Sequence, residues 1–506
     1  MYREIRQRTL LVGQPPLCLT SYLRELLRSM SINHRRISLS IASGLLLEII
    51  NKISPILILY HAQKSLGLAD FGWAQFQLAL FEVVQPFVTY GFPNFALAAV
   101  AEDKDQSPAV SQGLFSHILV LKVFNALLVS IFFLESHNFG AATAADRYSF
   151  DILLVVMAAC IFDTFWLCVA RHKLATMSLI SGVLRIAALL LILTLVESPS
   201  DKRLFVFLSL LPNSLICLLT GLYAYKTLSF SRIAWSKLRE IMMKATPFAL
   251  TILVLTLIDR IDIFLIERWF GLETAGIYSG PARVIQSLAM VTTAIALPFY
   301  AEILKVKDRD SLYKHVALSL WFLSALIAPI IFGIPFIEGD VIRILFSHLP
   351  VAGHYLLSLL SVSMIGSILV SVFGLQILMA RSRPWPIIIA GSICLFFIPP
   401  TVWALKATWG FKSVAYVIIA GKIIFGLLCM RFAKEFLPKI PWSSFLKPIL
   451  AGAGMGGFLL LIKVPGLVQN LLWGGLAYLV CLVATNFREF KEILQHPKVK
   501  GLLKRL

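Results

Sequence analysis

Charge is what this chain has least of: only 14% of its 506 residues are Asp, Glu, Lys or Arg. A soluble domain keeps its surface wet with roughly a quarter of its residues charged, so a soluble fold is excluded. Acid is scarcer still, with 27 acidic residues against 46 basic ones. The seven cysteines (Cys18, Cys160, Cys168, Cys217, Cys394, Cys429, Cys481) lie mostly inside apolar runs, without a CxxC pair or a metal-ligand spacing. That argues against disulfides and zinc. There is no GxxxxGK[ST] phosphate loop and no HExxH pattern, so neither nucleotide-driven pumping by this chain alone nor metal-assisted hydrolysis is expected. No Ser/His/Asp constellation stands out, and no cofactor is expected.

Long apolar runs are what the chain has instead. Hydrophobic residues make up 58% of it, and its mean hydropathy is +0.83. A bilayer core asks for about 20 apolar residues per helix, and in lipid each segment must satisfy its own backbone hydrogen bonds. The pattern predicts an all-α polytopic membrane protein with about fourteen spans: 37–60, 71–92, 113–134, 150–170, 174–196, 204–225, 245–266, 276–300, 315–337, 351–380, 385–405, 411–430, 446–462 and 467–485. The span 351–380 is long enough to be tilted, or to begin as a surface segment. With a cytoplasmic amino terminus, the inner segments hold 31 of the 46 basic residues and the outer loops 9. The net charge of +19 then follows from the positive-inside rule and does not point to nucleic acid. The first 36 residues carry Arg3, Arg6, Arg8, Arg24, Arg28, Arg35 and Arg36 with no cleavable signal pattern, and read as a basic cytoplasmic tail. Within that tail, Leu19 to Met30 fits either a surface-lying amphipathic helix or a solvated strand of chain.

Two short stretches repeat at an offset of 204 residues: Gly67-Leu68-Ala69-Asp70-Phe71-Gly72 and Gly271-Leu272-Glu273-Thr274-Ala275-Gly276. Pro93 and Pro298 follow at nearly the same offset. Six helices separate the copies, an even number, so the repeat is parallel and not inverted. The expected organisation is a tail (1–36), a first lobe (37–230), a second lobe (231–434), two added helices (435–485) and a basic cytoplasmic tail (486–506).

With Lys412 and Lys447 at span ends counted to the adjoining loops, six basic residues fall within the spans: Lys52, Lys122, Arg185, Arg260, Arg283 and Lys422. Each would cost about 2.5–3.5 kcal/mol at the bilayer centre if left facing lipid, so they are expected to face protein or an aqueous cavity. Glu48 and Lys52 stand at i,i+4, and Asp259, Arg260 and Asp262 cluster. Such groups read either as ion pairs that fix packing or as parts of a site. Glu82 and Asp163 are candidate partners for bases on other helices. Lys122, Arg185, Arg283 and Lys422 have no acid on their own helical face and are candidates to line a central cavity suited to an anionic group such as pyrophosphate. Prolines within spans, such as Pro86, Pro247 and Pro329, predict kinks. Tyr60, Trp73, Tyr90, Trp385, Trp403 and Trp409 fit interface anchors.

Residues Thr246-Pro247 through Asp259-Arg260-Ile261-Asp262, then Phe270-Gly271-Leu272, Gly276-Ile277-Tyr278, Ala282 and Pro298 resemble the seventh and eighth helices of polysaccharide transporters. Leu66-Gly67 through Phe71-Gly72, Tyr90-Gly91-Phe92 before Ala96, and the tail Phe487-Arg488-Glu489 through Leu494 are similar to that family too. These are the O-antigen and exopolysaccharide flippases of the multidrug/oligosaccharidyl-lipid/polysaccharide exporter superfamily. The resemblance implies two six-helix lobes around a cavity that opens alternately to either side. It implies a polyprenyl-pyrophosphate-linked oligosaccharide as substrate, membrane lipids and a polysaccharide polymerase with other assembly proteins as partners, and a bacterial plasma-membrane location. The last two helices are similar to the pair that lines a lipid-tail groove in the lipid II flippase branch. Two other readings stay open: a cation-coupled drug exporter of the same superfamily, and a membrane glycan polymerase or ligase. No outer loop is long enough to suggest the enzyme.

Overall fold

A computed structural model describes residues 34–102, 108–139, 144–171, 173–306, 308–346, 350–462 and 466–486, with the side chains of 34–56 and of some shorter stretches left aside. Every regular element among the described residues is helical. In chain order these are α1 (His34–Thr89), α2 (Phe92–Glu102), α3 (Pro108–Phe139), α4 (Ala144–Ile161), α5 (Phe165–Ala170), α6 (Leu174–Leu195) and α7 (Lys202–Thr227), then α8 (Trp235–Lys305), α9 (Arg309–Leu345), α10 (Leu356–Ser361), α11 (Ser363–Leu369), α12 (Trp385–Trp409), α13 (Lys412–Ala433), α14 (Trp442–Ile462) and α15 (Leu467–Thr485). A π-helical stretch, Val370–Met379, continues α11, so the expected single span 351–380 is built from several short pieces.

Helix α8 runs for 71 residues. Straight, at about 1.5 Å per residue, it would be over 100 Å long, several times a hydrocarbon core of about 30 Å. It is not straight. Gly271 breaks it at φ 82, ψ 174, and beyond the break the chain turns back. Tyr278 donates to Asp262 Oδ2 at 3.0 Å, and Gln286 Nε2 donates to the Asp259 carbonyl. Contacts 16 and 27 residues apart are impossible along one straight helix. Gly67 breaks α1 in the same way, at φ 74, ψ 172. A side chain there would be strained, and glycine alone takes that conformation cheaply. Both copies of the sequence repeat therefore begin with the same backbone turn.

The halves built on these hairpins meet tightly. A Cβ on Gly72 would lie 2.0 Å from the Leu272 carbonyl oxygen, and one on Gly276 would lie 1.9 Å from that of Leu68. The contact is reciprocal, as two copies related by a twofold require. At the other end of the 68–89 arm the Tyr90 and Thr246 hydroxyls are 3.2 Å apart, and Gly91 packs against the backbone of Phe248 and Ala249. Each half has its own apolar core. One includes Phe71, Phe81, Leu153, Ile192 and Phe205, the other Ile258, Leu323, Ile368, Phe373 and Phe425. Helices α14 and α15 pack on α9 through Ala451, Met455 and Ala328, pinned by the bond from Tyr478 to the Ala325 carbonyl at 2.7 Å.

The chain is a multi-pass membrane protein. Among the described residues ten helices are long and apolar enough to cross a bilayer, and the pair Leu57–Thr89 with Phe92–Val100, bent by 44°, makes an eleventh. The sequence reading counted fourteen. Two of its spans, 245–266 and 276–300, lie on the arms of α8, where Asp259, Arg260, Asp262, Arg283 and Gln286 stand in place of apolar residues.

Candidate functional site

The charged and amide residues of the two hairpins meet where the halves join. On the 68–89 arm of α1, Gln75 and Glu82 are seven residues apart, two helical turns, and so share a face. On α8, Arg260 comes from the first arm and Arg283 and Gln286, at i,i+3, from the second. Glu82 binds both arginines: Oε2 accepts from Arg260 Nε, and Oε1 from Arg283 Nη1 at 3.0 Å. Amides complete the set. Arg283 Nε donates to Gln75 Oε1 at 3.0 Å, and Arg260 Nη1 donates to Gln286 Oε1.

Two guanidiniums and one carboxylate leave one positive charge in excess. At about 4 Å and an effective dielectric of about 20, each unit-charge pair is worth on the order of 4 kcal/mol. The repulsion between the arginines thus offsets a large part of one attraction, and Asp262 is a further negative group acting on both of them. The trio's own carboxylate is its most open member: side-chain exposure is 34% for Glu82, against 10% for Arg260 and 20% for Arg283.

Two cavities flank this network. The larger, of about 520 Å³, is lined by Gln75, Glu82, Gln85, Arg185, Asn213 and Arg283 among apolar walls of α1, α6 and α7. The smaller, of about 220 Å³, has Asp259, Arg260, Gln286, Ser367, Ser371 and Lys422 in its lining. Gln286 belongs to both. Along α1 and α8 the cavities lie between the Gly72–Gly276 contact and the Tyr90–Thr246 contact.

The structure sorts the charges named from sequence. Arg185 and Arg283 line the larger cavity with Glu82. Lys422 lines the smaller one and binds Asp259 Oδ1 at 2.7 Å. Arg260 borders that cavity too. Asp259, Arg260 and Asp262, grouped by proximity in sequence, part company, because consecutive residues on a helix do not face one another. They bind Lys422, Glu82 and Tyr278 respectively. Asp262 is buried, accepts also from the Ile263 N–H at 2.8 Å, and serves the α8 hairpin. Three bases without an acid on their own helical face find one on another element: Lys122 near Asp163, Arg283 at Glu82 and Lys422 at Asp259. The side chains of Glu48 and Lys52 lie outside the described residues.

Lys122 is outside the lining of both cavities, is only 1% exposed, and donates to the Asp163 carbonyl at 2.5 Å with the Asp163 carboxylate at 3.9 Å. It ties α3 to the α4–α5 junction. Stripping one partner from a buried charged pair costs about 3–5 kcal/mol, so Lys122→Ala is expected to lower the melting temperature in detergent by several degrees. An unchanged melting temperature would remove this structural role.

Sequence reasoning missed Gln75, Gln85 and Gln286, although an amide one or two turns from a charge in an apolar helix was a usable signal. It also missed Glu338, buried on α9, which accepts from the Leu357 N–H at 2.9 Å and from the Ser358 hydroxyl and so caps α10 from a neighbouring helix.

Comparison with known proteins places this geometry. Residues 40–304 match the polysaccharide biosynthesis protein family. The teichuronic acid biosynthesis protein TuaB of Bacillus subtilis (strain 168) is 24% identical over 206 residues, 39% of this chain and 42% of that protein. The match thus spans less than half of the relative's length. Among solved structures, the lipid II flippase MurJ in an inward closed conformation is 16% identical with a TM-score of 0.69, covering 88% of this chain and 99% of that one. An inward-facing multidrug resistance MATE family transporter of the MOP superfamily is 14% identical with a TM-score of 0.56, over 76% and 94% of the two chains. At these identities the likeness is one of fold.

Proposed function

The chain belongs to the polysaccharide biosynthesis protein family, and from that premise we propose that it is a flippase carrying a polyprenyl-pyrophosphate-linked oligosaccharide from the inner to the outer leaflet of a bacterial plasma membrane. The observation that carries this reading is Arg185 and Arg283 lining a cavity of about 520 Å³, with Arg260 joined to Arg283 through Glu82 and bordering the smaller cavity beside it. Guanidinium binds phosphate through paired, charge-assisted hydrogen bonds. The volume lies in the range of about 300–1,000 Å³ usual for ligand sites, which suits the pyrophosphate and its first sugar, with the lipid tail left in the bilayer. Transport and not catalysis is the activity proposed.

The halves act as the lobes 37–230 and 231–434, with 435–485 an added helix pair. The excess of basic residues on one side of the membrane puts both termini in the cytoplasm. The Gly67 and Gly271 turns then face outward and the Tyr90–Thr246 contact inward. Opening the inner contact admits the headgroup, and opening the outer one releases it. An inside-negative potential favours outward movement of an anion by about 2.3 kcal/mol per charge per 100 mV.

Arg185→Ala is expected to cut export of lipid-linked oligosaccharide at least tenfold, on the order of 1.4 kcal/mol, with normal membrane insertion. Accumulation of lipid-linked intermediate on the inner leaflet of the variant strain is the readout. Native export would take Arg185 out of the site. Deletion of the gene is expected to block polysaccharide assembly without changing drug susceptibility, whereas the reverse result would favour a drug exporter.

A further inference from the structure

The network at the joint between the halves has an occupant already. Both Glu82 oxygens are engaged by arginines, and those arginines are the groups that the proposed function assigns to phosphate. A carboxylate and a phosphate oxygen pair present the same chemistry to a guanidinium: two acceptors at fork spacing carrying negative charge. Resting on that function, we infer that Glu82 is an internal stand-in for the substrate's phosphate. It occupies Arg260 and Arg283 while the carrier is empty and gives them up when the headgroup arrives.

Three features carry the inference. Glu82 comes from the first half and both arginines from the second, so the ion pairs are also a tie across the joint. The carboxylate is the most accessible of the three groups and lines the larger cavity, where an incoming anion meets it first. Asp262 acts electrostatically on both arginines but bonds to Tyr278 and the Ile263 N–H, so Glu82 is the carboxylate bonded to them, and a phosphate carrying more than one charge engages both more strongly. Loading is then an exchange in which a charge of minus one is replaced by a larger one. The same exchange releases the first half from its tie to the second. Substrate entry and freedom of the halves to move become one event, and an empty carrier stays latched.

A competitor built into the site lowers apparent affinity by the fraction of molecules in which it has let go. Glu82→Gln, which keeps the shape and removes the charge, is therefore expected to bind inorganic pyrophosphate about tenfold more tightly than the wild type. Arg260→Ala and Arg283→Ala should both lose pyrophosphate binding. The probe is isothermal titration in detergent, repeated in nanodiscs with lipid-linked oligosaccharide to separate a free anion from a lipid headgroup. Spin labels at Lys226 and Lys434, exposed on opposite halves, report the tie directly. Their distance distribution should broaden in Glu82→Gln without ligand, and in the wild type on adding pyrophosphate. If the arginine variants lose binding while Glu82→Gln gains none, the exchange is wrong and the arginine site stands. If the arginine variants bind like the wild type, the headgroup reading fails and takes the exchange with it. Should Glu82→Gln not fold, the wild-type spin-label titration decides: an unchanged distance on saturation overturns the latch.

Discussion

Gly72→Ala and Gly276→Ala are each expected to reduce transport at least tenfold, and together to abolish it, without loss of membrane insertion. The reason is geometric. An added methyl would sit 2.0 Å from the Leu272 carbonyl oxygen in one case and 1.9 Å from that of Leu68 in the other. These neighbours are backbone, so no side-chain rotamer can relieve the clash. The two hairpins must move apart by more than an ångström at this end, and overpacking of this kind costs typically 1–3 kcal/mol. In a carrier that works by alternating two contacts between its halves, loss of one biases the molecule toward the state in which that end is open. A bias of about 3 kcal/mol changes such an equilibrium more than a hundredfold. Reconstituted transport is the assay, and accessibility of a cysteine introduced at Asp70 to a membrane-impermeant reagent is the companion measurement. Gly113→Ala is the control, since a Cβ there meets nothing within 4 Å and alanine favours the helix. Wild-type transport in both glycine variants would show that the close contact at this end is dispensable.

Arg283→Ala carries the second large effect. Its side chain makes one bond to Glu82 and one to Gln75, so truncation takes a donor from a carboxylate at the joint and leaves the Gln75 carbonyl oxygen without one. It also cancels the net positive charge of the trio. Transport is expected to fall about a hundredfold, on the order of 2.7 kcal/mol, and stability by about 1–3 kcal/mol, less than a full orphaned charge costs because Arg260 still holds Glu82. Arg283→Lys should recover only part of the activity, because an ammonium is a point charge and cannot reproduce the fork that reaches both partners. The double variant Arg283→Ala/Glu82→Gln separates the two roles. Removing both charges also takes the carboxylate from Arg260, so melting temperature is not expected to recover, and transport should stay low. If the double variant regains transport, Arg283 only neutralises Glu82 and has no part in binding.

Some of this site was visible along the chain. The bases that a membrane helix cannot leave in lipid, Arg185, Arg260, Arg283 and Lys422, were marked by their depth in apolar runs, and all four border one of the two cavities. Lys122 carried the same signature and sits in helix packing instead. Depth in a span says that a charge needs polar company, and a carbonyl and a carboxylate on a neighbouring helix meet that need as well as a cavity does.

By itself the sequence determined that the chain is helical and lives in a membrane, because apolar runs of this length have no other stable form in lipid. It also marked two Gly-Leu-x-x-x-Gly stretches at one offset as corresponding points of a repeat, whereas the positive φ of Gly67 and Gly271 and the hairpins they open are features of the tertiary structure. Only the tertiary structure decided which charges meet. Glu82 lies 178 residues from Arg260 and 201 from Arg283, whereas sequence periodicity registers neighbours three or four residues apart on one helix. Pairing between helices depends on how each is rotated about its axis, and that rotation is set by packing of the whole bundle.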